Sequence, residues 1–181
     1  MADEKLVFEQ TFDGMFHRAL KHRVTPRLKE RLRGLGVDLD QKLLPAYPVD
    51  VWDRALVLTA EELYPGQTLD AALRQLGTAF IYGYQENFLG RAVMAAMRVV
   101  GPRRALDRMS KTLRSADNFS TATLVERSPT HCELTLLGHI RNPHFFAGTL
   151  VAGAQITGAK DEQIDVLRWD ATSAVYSVRW R

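Results

Sequence analysis

Hydrophobic residues recur at helical spacing along most of the first 115 residues. They fall three and four positions apart between residues 12 and 22, and again between Leu69 and Tyr84. Thr25 followed by Pro26 predicts the start of another helix, because threonine can cap a first turn that proline fits without strain. This half of the chain is therefore predicted to be mainly helical.

Three further features belong to the helical half. Asp50 is expected to cap a helix that begins at Val51. Residues 89–100 are apolar on nearly every face, which predicts a central and buried helix. Gly101-Pro102 should end that helix and begin the next one.

After residue 117 the pattern changes to one of short strands with a single apolar helix. The predicted elements, strand, strand, helix, strand and strand, cover residues 119–126, 130–138, 143–157, 163–169 and 173–180. Segregated helices and strands favour an α+β fold, with a helical N-terminal half packed on a C-terminal antiparallel sheet of ββαββ order. We treat 1–181 as a single domain with a mainly helical lobe over 1–115 and a ββαββ lobe over 116–181.

The composition of the chain narrows the class of protein. With 46% hydrophobic and 25% charged residues among 181, the disordered and collagen-like classes are excluded. A single cysteine, Cys132, excludes an internal disulfide and a zinc motif built on cysteine pairs. No apolar run is long enough to span a membrane, and the acidic N-terminus lacks the pattern of a signal peptide, so we expect a cytoplasmic protein.

Charge is arranged in alternating blocks. Residues 17–33 carry 7 basic and 1 acidic side chain, residues 34–70 carry 2 and 7, and residues 91–114 carry 7 and 1. Such blocks can pair within the chain, or a basic block can form a face that binds phosphates. Aromatic residues do not interleave with the basic ones, so we do not expect a nucleic-acid partner. Association with nucleic acid through basic helices 17–33 and 91–114 is kept as an alternative.

The sequence contains no recognisable catalytic motif. A nucleophile elbow, a phosphate-binding loop and a dinucleotide-binding glycine motif are all absent from it. Cys132, His139 and His144 do not have the spacing of a common zinc site, and strand alternation should place the first two on opposite faces. We therefore expect a non-enzymatic protein without a cofactor or a metal, in which Cys132 is a small core residue.

Turn residues and glycines spread over most of the chain resemble those of a known family. The segments are Tyr47-Pro48, Leu63-Tyr64-Pro65-Gly66, Leu76-Gly77, Gly90-Arg91, Gly101-Pro102-Arg103-Arg104, Asn118-Phe119, Gly148 and the closing run from Val175 to Trp180. They are similar to those of proteins of unknown function, roughly 200 residues long, that occur as many paralogues in myxobacteria. These motifs are structural, so they identify a family without identifying an activity.

That family is in turn distantly similar to the heme–nitric-oxide-binding, vinyl-reductase-associated and vesicle-tethering (TRAPP) group of α+β folds. The resemblance implies a pocket between a helical half and an antiparallel sheet, and a role in sensing a small molecule or lipid, or in scaffolding. It does not extend to heme residues, since heme sensors of this shape use a Tyr-x-Ser-x-Arg motif and a histidine in mid-chain. Here Tyr176-Ser177-Val178-Arg179 has a different spacing, and no histidine lies between His22 and His131.

We expect a binding or sensory module that holds a small apolar ligand or a protein partner. A structural interaction protein without a ligand is the first alternative. Gly77 and Gly83 should allow close approach of another backbone, more often that of a packed helix than a ligand. The predicted pocket lies between helix 68–86, helix 89–100 and the inner face of the sheet, and its residues are Phe80, Tyr84, Phe88, Met94 and Met97. The excess of apolar helix surface further predicts a homodimer.

Overall fold

The helical half begins with a short strand and a run of helices. The computed structural model describes residues 4–83, 95 and 99–181. Its first elements are β1 (Leu6–Phe8), α1 (Glu9–Phe12), a π-helix (Asp13–Ala19), α2 (Pro26–Arg33), β2 (Ala46–Pro48), α3 (Val49–Leu63) and α4 (Leu69–Gly83). Strands β1 and β2 pair antiparallel, because the proline-flanked segment before α3 is held extended.

Of two predicted helix caps, the structure confirms one and contradicts the other. The hydroxyl of Thr25 accepts a hydrogen bond from the backbone N–H of Leu28 at 3.1 Å, which confirms the predicted cap of α2. The cap predicted at Asp50 is wrong, since α3 begins at Val49 after Pro48 and has no side-chain cap. Asp50 lies within the first turn, where its negative charge still favours the helix dipole.

The C-terminal half is a four-stranded antiparallel sheet with a helix across one face. It follows α5 (Pro102–Asp107) and α6 (Met109–Ala116), and its elements are β3 (Thr121–Ser128), β4 (His131–Leu137), α7 (Pro143–Ile156), β5 (Gln163–Trp169) and β6 (Ser173–Arg179). The strand order is β3-β4-β6-β5. The predicted α+β class and the ββαββ order are both confirmed.

The inner face of the sheet follows the predicted alternation. Cys132 and Leu134 of β4 are fully buried, while His131 and Glu133 on the other face are partly exposed. Ala174, Tyr176 and Val178 of β6 share this inner face, and the residues between them on the other face are buried as well. The period-two pattern therefore identified which face of the sheet packs on α7.

Helices α4 and α7 cross at a pair of glycines. A Cβ atom at Gly77 would lie 2.0 Å from the carbonyl oxygen of Phe145, and one at Gly148 would lie 2.0 Å from that of Arg74. A Cβ at Gly83 would lie 2.0 Å from the Cα of Ala19 at the end of the π-helix. The prediction that Gly77 and Gly83 allow close backbone approach is confirmed, and in each case the neighbour is another helix.

Among the described residues, two hydrophobic clusters form the core. The first joins the helices of the N-terminal half and includes Phe145 of α7. The second lies between α7 and the inner face of the sheet and includes Leu106 of α5. Phe145 and Leu106 each extend from one half into the cluster of the other, so the two halves meet around α7.

Part of the predicted helical pattern lies outside the described residues. Of the helix predicted over 89–100, the structure describes Ala95, Val99 and Val100, and Val99 is 88% exposed. The prediction of a central and buried helix is therefore wrong at Ala95 and Val99, which are both exposed. The single helix predicted after Gly101 is two helices, because Arg108 between them departs from regular helical geometry. No helix in the described part of the chain is long and apolar enough to cross a membrane.

A cavity with one polar corner

A cavity of about 710 Å³ lies between the helical half and the sheet. Its size falls within the range of about 300–1,000 Å³ that is typical of small-molecule sites. Helices α3, α4, α5 and α7 contribute to its wall, and the inner face of the sheet closes it through Leu136 and Tyr176. The cavity therefore lies where the resemblance implies a pocket.

Most of the wall is apolar and aromatic. The large apolar side chains that line it are those of Trp52, Leu56, Phe80, Ile81, Leu106, Leu113, Phe119, Phe145, Phe146 and Leu150. Phe145 packs edge-on against Trp52 at 5.9 Å and lies 5.8 Å from the ring of Phe80, centroid to centroid. These contacts fix three aromatic rings side by side, so this part of the wall is preformed.

One cluster of polar side chains in the wall is held together by hydrogen bonds. Asp53 of α3 and His139, Arg141 and Asn142 of the loop between β4 and α7 line the cavity together, and we call these four residues the polar corner. His139 Nε2 lies 2.8 Å from Asp53 Oδ2, and Asn142 Nδ2 donates to Asp53 Oδ1 at 3.2 Å. The corner thus joins the helical half to the sheet half through one buried carboxylate.

Burial raises the pKa of Asp53, and the nearby His139 and Arg141 only partly oppose this effect. The residue is 8% exposed, so its charged form loses most of its hydration. Asp53 therefore takes up a proton at a higher pH than an exposed aspartate does.

Arg141 is held more loosely than the other members of the corner. Its nearest contacts are 3.6 Å to Asp50 and 3.8 Å to Asp53, which are too long for good hydrogen bonds. Its side chain is 63% exposed although it lines the cavity, so it lies where the cavity opens to solvent.

Other polar side chains of the wall are already satisfied by the backbone. The buried hydroxyl of Tyr176 donates to the carbonyl oxygen of Pro143 at 3.1 Å, and burial raises its pKa far above the ordinary value. Thr149 and Thr157 donate to carbonyl groups within α7, and Thr11 donates to that of Ala116. The O–H donors of these four hydroxyl groups are therefore already used within the protein.

The residues predicted for the pocket are only partly described. Phe80 lies in the cavity wall. Tyr84, Phe88, Met94 and Met97 lie outside the described residues, so the pocket as predicted stays a prediction.

Sequence reasoning missed the polar corner. Asp53 lies inside a helix, where a carboxylate is ordinarily on the solvated face, and His139 was considered only together with Cys132 and His144. The structure gives each of those three another environment. Cys132 is buried in the second core with its pKa raised by burial, and His144 faces Asp70 at 3.4 Å. The cluster of polar residues just before Pro143, the first residue of α7, was the available signal.

Asp50, Asp53 and His139 place three ligand-type atoms within 4.8 Å of one another. Such an arrangement can hold a metal ion in principle. However, the guanidinium of Arg141 lies within 4 Å of both carboxylates and already supplies a positive charge there. The geometry is that of an ion-pair network.

The first basic block is neutralised within the chain. Arg31 pairs with Glu61 and Glu62 of α3, and Arg33 pairs with Asp38 and Asp40 in the loop that follows α2. In the second block Arg103 pairs with Glu126, whereas Arg104 and Arg108 are exposed and form no ion pair within the part of the chain that the structure describes. The basic block at α2 is therefore paired with acidic residues of the same chain, and these ion pairs leave little free basic surface on this helix.

The fold is shared with solved structures of H-NOX proteins. One, an oxygen-binding H-NOX domain related to soluble guanylate cyclases, has a TM-score of 0.70 at 12% identity over 95% of this chain and 94% of its own. Another, an Fe(II) unliganded H-NOX mutant from K. algicida, has a TM-score of 0.64 at 11% identity over 94% and 95%. At such identities the likeness defines the class of fold, an H-NOX-like α+β protein.

The family is defined separately by sequence. Residues 5–181 match the family described as protein of unknown function DUF2378, and the chain belongs to that family. No curated protein matches the chain.

Proposed function

We propose that this protein is a non-enzymatic sensory module that binds a small, mainly apolar ligand in the cavity between its two halves. The cavity itself carries the proposal, because it is large enough for a ligand, walled by preformed aromatic packing, and mainly apolar with one hydrogen-bonded polar cluster at the corner. The H-NOX-like fold supports a ligand-binding role, since proteins of this fold include an oxygen-binding domain.

Heme is the first group to compare with the cavity, because two of the similar structures are described in terms of heme or porphyrin distortion. Heme iron is held in proteins by histidine, cysteine, methionine or tyrosine. Within the described part of the wall, His139 is the one imidazole, and its Nε2 is taken by Asp53 among other charged groups. The Tyr176 hydroxyl is bound to a carbonyl oxygen and resists ionisation. These residues do not fit heme, and we propose a different occupant.

Binding of a neutral apolar dye tests the proposal. Nile red fluoresces strongly in apolar surroundings, so saturable binding with one site per chain is the expected result. Gly153 of α7 offers a sharp control, because it lines the cavity and a Cβ there would meet no atom within 4 Å. Gly153→Phe should fill part of the cavity and weaken dye binding about tenfold or more, whereas Gly153→Ala should leave it unchanged.

The two variants share a backbone position and differ only in side-chain volume. Circular dichroism of both should match wild type. Equal dye binding by wild type and both variants would place the dye outside the cavity and count against the proposal. Absence of saturable dye binding to the wild-type protein would do the same.

A further inference from the structure

The polar corner has a property that the proposed function does not by itself require. Of the charged groups that line the cavity in the described part of the chain, Arg141 makes no hydrogen bond, whereas the others are already occupied. Arg18 donates to Asp13, and the Asp117 carboxylate accepts from the backbone N–H groups of Phe119 and Ser120. Asp53 accepts from His139 and Asn142.

The free donors of Arg141 lie where they can meet the end of a ligand. The residue both lines the cavity and is 63% exposed, so its guanidinium stands between the apolar interior and solvent. A guanidinium presents its N–H groups in a planar fork that matches a carboxylate. Its long contacts to Asp50 and Asp53 can be exchanged for a short bidentate pair at little cost.

We infer that the ligand is an aliphatic monocarboxylic acid, with its chain in the apolar cavity and its carboxylate paired with Arg141 at the mouth. The inference rests on the proposed function, since it names the ligand class for the same cavity. The apolar wall built around Trp52, Phe145 and Leu150 provides the surface for the chain.

The charges around Arg141 favour a head group with one negative charge. Asp50 and Asp53 lie within 4 Å of the guanidinium, and a dianionic phosphate would bring two more negative charges beside them. A carboxylate brings only one negative charge. Asp50 is 66% exposed and absent from the cavity wall, so it can turn into solvent when a carboxylate replaces it at Arg141.

A cationic head group is disfavoured by the occupancy of Asp53. That carboxylate already accepts from two side chains, and the positive charge of Arg141 beside it repels a second cation. The observations therefore favour an acid over an alcohol and an alcohol over an amine.

Competition with Nile red tests the head group. Dodecanoate, dodecanol, dodecylamine and dodecyl phosphate share one chain and differ in the head. Below their micelle concentrations, dodecanoate should displace the dye from wild-type protein at about tenfold lower concentration than dodecanol. The amine and the phosphate should both be weaker than dodecanoate.

Variants of Arg141 assign the preference to its side chain. Arg141→Gln should abolish the advantage of dodecanoate over dodecanol, and its circular dichroism should match that of wild type. Arg141→Lys should retain part of the advantage, because it keeps the charge but loses the fork. Arg168→Gln, which removes an exposed arginine of β5 outside the cavity wall, should behave as wild type.

The outcomes separate this inference from the proposed function. Equal displacement by acid, alcohol and amine, or a preference for the amine or the phosphate, would overturn the carboxylate inference and leave the cavity function standing. Persistence of the acid preference in Arg141→Gln would overturn the role of Arg141. If Nile red does not bind wild-type protein at all, the proposed function fails and the inference fails with it.

Discussion

Asp53 is a buried residue whose side chain joins the helical half to the sheet half. It is 8% exposed and joined to His139 at 2.8 Å, with Asn142 on its other oxygen. A buried carboxylate of this kind is costly unless it is hydrogen-bonded, so its partners are as necessary to the fold as the residue itself.

The raised pKa of Asp53 gives the stability of the protein a defined dependence on pH. Burial raises this pKa above 3.8, so the folded state binds the proton more tightly than the unfolded state does. The stabilisation from this group is complete below the unfolded pKa and is lost as pH rises through the folded pKa. This effect should lower the free energy of unfolding of wild type as the pH rises from about 4 to 7, and urea denaturation measures it. In Asp53→Asn this contribution to the pH dependence of the free energy of unfolding should be absent.

Asp165→Asn provides the comparison for this measurement. Asp165 is an exposed aspartate of β5, paired with Arg179 at the surface. Its variant should follow the wild-type dependence on pH over the same range. Parallel curves for wild type and Asp53→Asn would show that Asp53 does not couple folding to proton binding.

At the scale of single residues, the sequence predicted packing better than polar contacts. Thr25 and Cys132 have the predicted roles because capping and strand alternation depend only on neighbouring residues. The link between Asp53 and His139 joins positions 86 residues apart. No local pattern encodes such a contact, so it became visible only when the two halves were placed together.

Among the elements, the crossing of α4 and α7 determines how closely the two halves pack. The glycines at the crossing leave no room for a Cβ on either side. Gly148→Ala should force the helices apart and lower the free energy of unfolding by about 1–3 kcal/mol, because overpacking outweighs the better helix propensity of alanine. Urea denaturation measures the change.

Gly153→Ala is the matched substitution on the same helix. A Cβ at Gly153 meets no atom within 4 Å, so this variant should be more stable than wild type by about 0.5–1 kcal/mol. Opposite signs for the two variants are the expected result. A loss of similar size in both would show that alanine is poorly tolerated throughout α7 and that the crossing is not special.

The elements themselves were largely predictable, and the exceptions have physical causes. Period-two and helical spacing predicted the order of the C-terminal elements, because spacing of this kind depends only on neighbouring residues. The cap at Asp50 was wrong because Pro48 and the pairing of β1 with β2 set where α3 begins. The helix break at Arg108 carries no glycine or proline, so nothing in the local sequence indicated it.

At the scale of the whole molecule, the oligomeric state stays a prediction. The excess of apolar helix surface predicts a homodimer, and the exposed Val99 belongs to that surface. Light scattering coupled to size exclusion should therefore give twice the 20.4 kDa chain mass at high concentration. A monomer mass that does not change with concentration would contradict the prediction.

The absence of a fitting iron ligand in the described wall leads to a spectroscopic prediction. Protein purified from cells supplied with a heme precursor should show no absorbance band in the Soret region. His139→Ala should give the same spectrum as wild type, because His139 is engaged with Asp53. A Soret band that disappears in His139→Ala would assign that residue as an iron ligand and contradict our account of the corner.

The central claim is that the cavity between the two halves is the ligand site, and a crystal structure of the wild-type protein with bound Nile red tests it most directly. Our account predicts density for the dye enclosed by Trp52, Phe145 and Leu150, with its more polar end towards Arg141. Density for the dye only on the outer surface, with the cavity closed by its own side chains, would contradict it.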